Sequence, residues 1–208
     1  MRTIYISILA IILSICKVNA KEAYRINVKI KGVKDTICLL AYYYGDKQYI
    51  QDTVKVNSKG EMVFTGEEAL PGGIYLIVTP DKNYFEVIID KNQFFSVETD
   101  TADFVKNCIF KNSNENVLFY KYLNFIQDEY KKMTPLRTAL SKTTNKDSLD
   151  LLKSQINKIN EEIDNYKKDF QKNNPDMLLS LIFKGSTEIV IPEAPKLPNG
   201  GIDSSFAF

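Results

Sequence analysis

The chain has 208 residues, with 27 Lys and Arg against 26 Asp and Glu, three cysteines and no histidine. So even a balance lacks the basic domain or stripe of a nucleic-acid binder, and no nucleic-acid partner is expected. The absence of histidine rules out Ser-His-Asp and Cys-His nucleophile systems and every His-containing zinc site, and it removes the commonest general acid–base group.

Residues 1–20 have the form of a secretory signal peptide. Met1-Arg2 gives a positive start, Ile4 to Cys16 is an almost unbroken apolar run, and Val18-Asn19-Ala20 ends it with a small residue before Lys21. Cleavage is therefore expected after Ala20. The run of thirteen residues falls short of the ~20 that a membrane-spanning helix needs. No later segment is long and apolar enough either, so no transmembrane span is expected. Leu13-Ser14-Ile15-Cys16 loosely matches a lipobox, with Ile15 where Gly, Ala or Ser is usual, and lipid anchoring at Cys16 is the alternative. Either route exports the chain to the periplasm or cell envelope. Cleavage takes Arg2 and Lys17 with it and leaves 25 basic against 26 acidic side chains. Of the thiols only Cys38 and Cys108 remain, too few for a four-ligand zinc site and too far apart for C-x-x-C. Export permits a Cys38–Cys108 disulfide, and two separate buried thiols suit their apolar strand contexts equally well.

Residues 21–111 are expected to form an antiparallel sandwich or barrel of about eight strands. Tyr24 to Ile30 alternates apolar and polar, the mark of a half-buried strand. Thr36 to Tyr44 is apolar nearly throughout and suggests a central strand covered on both sides. Thr53 to Val56 passes through Asn57-Ser58-Lys59-Gly60 into Met62 to Thr65 as a hairpin. Leu70-Pro71-Gly72-Gly73 turns into Ile74 to Val78. Tyr84 to Ile89, Phe94 to Glu98 and about Val105 to Phe110 complete the set.

Residues 112–190 change to helical period. Leu118, Tyr122, Phe125, Ile126, Tyr130 and Met133 share one helix face, with Ser113 or Asn114 placed to cap its start. After a polar connector holding Pro135 and Thr143-Thr144-Asn145, the positions Leu149, Leu152, Ile156, Ile159, Ile163, Tyr166 and Phe170 alternate spacings of three and four. That is a coiled-coil-type seam. It predicts an antiparallel hairpin with the preceding helix, and dimerisation through 149–170 is its other use. Asn174-Pro175-Asp176 is expected to cap and open a third, short helix over Met177 to Phe183. The fold class is thus α+β: a sandwich, a helical hairpin and a third helix. Residues 191–208 contain Pro192, Pro195, Pro198 and Gly200-Gly201, so an extended arm or linker is expected. The aromatic end at Phe206-Ala207-Phe208 looks like the start of a further element, and truncation is the expectation.

Candidate chemistry is sparse. The acids cluster in turns and on helix faces, where capping and solubility already favour them. Glu98, Asp100 and Asp103 lie close together but lack the EF-hand order. No catalytic residue, metal ligand or cofactor site is expected. Tyr42, Tyr43 and Tyr44 are the candidate binding surface, able to stack on a sugar or a peptide, although tyrosine also packs well at strand edges.

The run Asp52-Thr53-Val54-Lys55-Val56-Asn57-Ser58-Lys59-Gly60-Glu61-Met62-Val63-Phe64-Thr65-Gly66 resembles the hairpin signature of domain of unknown function 4369. Pro71-Gly72-Gly73-Ile74-Tyr75-Leu76 and Phe85-Glu86-Val87-Ile88-Ile89-Asp90 fit it as well. That resemblance implies an exported β-sandwich of the kind that precedes a thioredoxin-like, thiol:disulfide oxidoreductase-type domain in Gram-negative envelope proteins. The region from about 112 onward resembles the helical domain of unknown function 5106. The redox domain with its C-x-x-C is not among these residues. The resemblance therefore implies a non-catalytic accessory module whose partner is a downstream thioredoxin-like domain. The alternative is a stand-alone binding module for a peptide, glycan or partner protein.

Overall fold

The computed structural model describes residues 22–186. The leader, the cleavage point after Ala20, the lipobox at Cys16 and the arm at 191–208 lie outside the described residues. Within them are eight strands and three helices: β1 (Tyr24–Lys31), β2 (Thr36–Tyr44), β3 (Lys47–Val56), β4 (Glu61–Gly66), β5 (Gly73–Val78), β6 (Tyr84–Ile89), β7 (Phe94–Asp100), β8 (Ile109–Lys111), α1 (Asn114–Leu140), α2 (Lys146–Asn173) and α3 (Leu178–Gly185). The α+β class holds. The strands form two four-stranded sheets, β4-β1-β7-β8 and β3-β2-β5-β6, an open sandwich rather than a barrel.

The inner faces follow from side-chain alternation. In β1, Tyr24, Ile26, Val28 and Ile30 are buried and the residues between them are exposed. Phe64 and Met62 of β4 lie opposite Ile26 and Val28, and Phe95 and Val97 of β7 lie on their other side. Cys38, Leu40, Ile77, Phe85 and Val87 of the second sheet close this core from above.

Five details depart from the expected layout. The sandwich is not wholly antiparallel, because β1 and β7 run parallel, Arg25 opposite Phe94 through Lys31 opposite Asp100. The turn at Asn57–Gly60 forms as expected, with the Asn57 side-chain oxygen accepting from the N–H groups of Lys59 and Glu61 at 2.8 and 3.0 Å. Yet β3 and β4 lie in different sheets, so the turn is a corner of the sandwich and not the end of a ladder. Gly60 makes the corner, with φ +80 and its backbone so close to Ile30 that an added Cβ would sit 2.3 Å from the Ile30 carbonyl oxygen. β3 begins at Lys47, six residues before the predicted start, because Tyr44 and Lys47 pair across a tight turn at Gly45-Asp46. β2 is covered fully on one side only. On its outer face Ala41 is buried, but Ile37 and Tyr43 are 51% and 43% exposed. β8 is likewise shorter and later than expected, since the acids at 100 and 103 fold the preceding chain into turns.

The helices form the predicted hairpin. Tyr122 and Phe125 near the start of α1 meet Tyr166 near the end of α2, with Phe125 and Tyr166 stacked at 4.6 Å. The seam therefore has an intramolecular partner. α1 runs to Leu140 and carries Pro135 in its interior instead of ending before it. Proline removes one backbone donor. Here Pro135 faces solvent, Met133 is buried, and Leu136 and Leu140 are half-buried. The Thr134 hydroxyl also donates to the Tyr130 carbonyl at 2.8 Å.

Asn174 does not open the third helix. It closes α2, its backbone N–H and side-chain amide both reaching the Phe170 carbonyl at 2.9 and 3.1 Å. α3 starts at Leu178 after Met177, which provides no side-chain cap. The Glu115 carboxylate of α1 serves instead, accepting from the Leu179 N–H at 2.7 Å. Phe119, Tyr120, Phe170, Leu179 and Phe183 join the same hydrophobic core as the strands, so the helices are extensions of the sandwich interior.

Candidate binding site: a tyrosine-lined pocket

β2 ends in Tyr42-Tyr43-Tyr44, and the pleat sends the first and third to one face and the second to the other. Tyr43 goes to the outer face, where its side chain raises the Tyr84 phenol above its ordinary value. Tyr42 faces inward, half-buried against the core. Its cross-strand neighbours on that face are Tyr49 of β3 and Tyr75 of β5. Tyr42 stacks on Tyr49 at 5.8 Å and tilts against Tyr75 at 6.0 Å, and Tyr44 meets the edge of Tyr49 at 6.4 Å. Four rings thus form a row from the buried Tyr75 to Tyr44, which is 75% exposed.

Beside this row lies a pocket of about 580 Å³ lined by Tyr42, Tyr43, Tyr44, Gln51 and the segment Pro71–Tyr75. Its volume is in the range of ligand sites, and no lining residue carries a formal charge. Gln51 comes from the β-bulge, the extra residue in β3 opposite Leu40 and Ala41.

The far wall is held rigidly. The buried Gln93 side chain accepts from the Leu70 N–H at 2.9 Å and donates to the Leu70 carbonyl at 2.8 Å. The Tyr75 hydroxyl donates to the Pro71 carbonyl at 2.9 Å, and burial pushes that phenol up to about 12. A Cβ on Gly72 would stand 3.8 Å from Leu178 of α3, so the loop also rests against the third helix. The pocket is built to offer aromatic faces, hydroxyls and a side-chain amide to an uncharged ligand. It has no group able to act as base or nucleophile at neutral pH.

The other sequence candidates are not gathered here. Cys38 and Cys108 are both free thiols in the structure. Burial, with Asp81 adding to it, pushes Cys38 up to about 11. Burial also raises Cys108 to about 12, against opposing hydrogen bonds with Tyr120 and Thr99. Both lie far from the thiolate range of reactive cysteines. Asp100 accepts from the N–H groups of Ala102 and Asp103 and from the Asn107 amide, and Asp103 accepts from those of Val105 and Lys106. These carboxylates are spent on their own turns. Among the described residues no cluster of acids and thiols could hold a metal, and no helix is long and apolar enough to cross a membrane.

A family model described as Domain of unknown function (DUF4369) matches residues 24–119. The chain carries a DUF4369 domain. Searches of curated proteins and of solved structures return no match. The DUF4369 domain so delimited takes in all eight strands and the opening turns of α1, and the tyrosine pocket lies wholly within it.

Several residues that shape the structure escape a reading of sequence alone. Tyr49, Tyr75 and Gln51 join the pocket only through strand pairing and a bulge. Asn116 is fully buried and clamps Ile88, accepting from its N–H and donating to its carbonyl, both at 2.7 Å. Glu129 is buried in the helical hairpin, with one oxygen on Lys132 at 2.7 Å and the other without a partner among the described residues. No local signal separates these side chains from exposed residues of the same type.

Proposed function

We propose that this chain is the non-catalytic amino-terminal part of an exported, thioredoxin-like envelope protein of the thiol:disulfide oxidoreductase type. In this reading the DUF4369 sandwich and the helical region hold a redox domain in place in the periplasm or cell envelope. One observation carries it: several of the acids and amides, and both thiols, that might do chemistry are committed to shape. Asn116 and Gln93 clamp backbone, Glu115 caps α3, Asp100 and Asp103 form turns, and burial holds both thiols protonated. Such a module positions chemistry done elsewhere. Sequencing the reading frame beyond the Phe208 codon tests it. About 100–150 further coding residues, the usual size of a domain, with a C-x-x-C are expected, and an immediate stop codon would overturn the proposal.

The tyrosine pocket favours a second reading, a stand-alone binding module for a peptide, glycan or partner protein. Under that reading the chain needs no redox domain, and Tyr42, Tyr44 and Gln51 are its recognition surface.

A further inference from the structure

Folding alone does not explain the glycine at position 73. Its φ is not positive, unlike that of Gly60, and an added Cβ would have only the edge of the Tyr75 ring near it, at 3.9 Å. Glycine inside a strand weakens it and often marks a place where a ligand approaches the backbone closely. Gly73 opens β5 and lines the tyrosine pocket. The missing side chain therefore keeps the pocket open and leaves backbone within reach of its contents. Strand pairing explains why there is room. The β2–β5 ladder runs from Leu39 opposite Val78 and ends at Tyr42 opposite Tyr75. Beyond that pair β2 continues to Tyr44 along β3, and β5 reaches back to Gly73 along β6. The sheet is split at this end, and both arms of the split, Tyr43-Tyr44 and Gly73-Ile74, line the pocket.

We infer that this split is a binding site for a neutral saccharide. The inference rests on the second reading above, that the pocket takes a ligand, and it names the ligand's class. A pyranose ring has apolar C–H faces and a rim of hydroxyls, each able to donate and to accept. The exposed Tyr44 ring and its neighbour Tyr42 suit the faces. The Tyr44 hydroxyl and the exposed Gln51 amide, which also donate and accept, suit the rim. No lining residue carries a charge that could neutralise an ionised ligand. Asp90 even stands behind the wall, its Oδ1 3.3 Å from where a Cβ on Gly72 would be, and it repels anions.

An extended peptide fits this site less well. Strand addition needs a continuous edge of N–H and C=O groups, whereas each arm of the split is only two residues long. Before Gly72 the wall offers no further edge. Pro71 has no N–H, and its carbonyl accepts from the Tyr75 hydroxyl. Both backbone groups of Leu70 are held by the Gln93 side chain. A compact ligand rich in hydroxyls can use the few groups that remain, and a peptide strand cannot run on past them.

The test presents the protein to two arrays, one of neutral oligosaccharides with their uronic and sialic acid counterparts, the other of uncharged peptides blocked at both ends. At least one neutral saccharide should be retained, and its acidic counterpart should bind at least tenfold more weakly. Titration of that saccharide should shift the rings of Tyr42 and Tyr44 in NMR spectra and leave those of Tyr120 and Tyr166 in place. Gly73→Val, which fills the pocket while favouring the strand, and Tyr44→Ala, which removes an exposed ring, should each weaken binding at least tenfold. Thermal unfolding checks that both variants remain folded, and Tyr44→Ala carries the test alone if Gly73→Val does not. Retention of no neutral saccharide would overturn the proposal, as would saccharide binding that both variants leave unchanged. If peptides alone bound, and lost affinity in the variants, the pocket would remain a binding site and only the saccharide assignment would fall. If neither array were bound, the pocket-based reading would fall with it.

Discussion

The second sheet ends in two edges that the chain treats in opposite ways. At β6 the edge is sealed. α1 lies along it, the Asn116 amide pairs with both the N–H and the carbonyl of Ile88, and the Tyr120 hydroxyl donates to the Glu86 carbonyl at 2.8 Å. A side-chain amide here does the work of a ninth strand. At β3 no element covers the edge among the described residues. That strand instead carries a bulge, exposed Tyr49 and Ile50, and an Asp52 carboxylate that accepts the Thr53 N–H at 2.6 Å. Bulges and inward-turned charges are the usual means of keeping an open edge from pairing with other chains. The sealed edge uses buried polar groups to make core, whereas the open edge keeps aromatic surface free while its own backbone is guarded. The candidate pocket lies toward the guarded edge.

Mutations can break this contrast, and the largest effect should come from the sealed edge. Asn116→Ala would strip partners from two buried backbone groups at once, and each such orphan costs about 1–3 kcal/mol. Urea unfolding should therefore show a loss of about 2–6 kcal/mol with an unchanged slope. A loss below that range would mean that water or a shift of α1 re-pairs Ile88. Tyr120→Phe should cost about 1 kcal/mol, because the ring stays packed at 4.8 Å from Phe110 and only the hydroxyl goes.

A subtler effect should appear in the pH dependence. Burial raises the Glu86 carboxyl above its usual 4.5, so the folded chain holds that proton more tightly than the unfolded chain does. Its contribution to stability then falls as pH rises from about 4.5 through the folded-state value. Relative to Glu86→Gln, the unaltered chain should gain stability as the solution is acidified from neutral. Thermal unfolding across that range measures the difference, and a gain in the opposite direction would contradict the burial argument.

What the sequence reveals follows the range of the interaction involved. The β1 alternation, the turn at Asn57 and the seam from Leu149 to Phe170 are local patterns, and each produces the element that its period implies. The parallel pairing of β1 with β7 joins residues about seventy positions apart and leaves no trace in either strand. β3 was legible only from Thr53 onward, because its first half is exposed and Gly45-Asp46 is a brief turn signal between two tyrosine-rich runs. Pro135 suggested a helix end, yet the buried face of α1 continues past it on the opposite side. The same division holds at the pocket. Tyr42, Tyr43 and Tyr44 stand out as a run of residues, but the sheet decides which of them face together. Tyr49, Tyr75 and Gln51 are recruited by register, and the clamps at Gln93 and Asn116 depend on burial that composition does not encode.

The smallest expected change in stability is at the open edge, and it bears most directly on function. Tyr44 is 75% exposed and touches its row only through the edge of Tyr49, so Tyr44→Ala should alter stability by no more than about 0.5 kcal/mol. Tyr42, half-buried against the core, should cost several times as much when truncated, since it loses two ring contacts and buried apolar area. If Tyr44→Ala were as damaging as Asn116→Ala, the aromatic row would be an outlying part of the core, and its exposure would have no bearing on ligands. A nearly silent Tyr44→Ala would leave a large aromatic ring on the surface that folding does not require. A preformed pocket beside such a ring is then best explained by something that binds there.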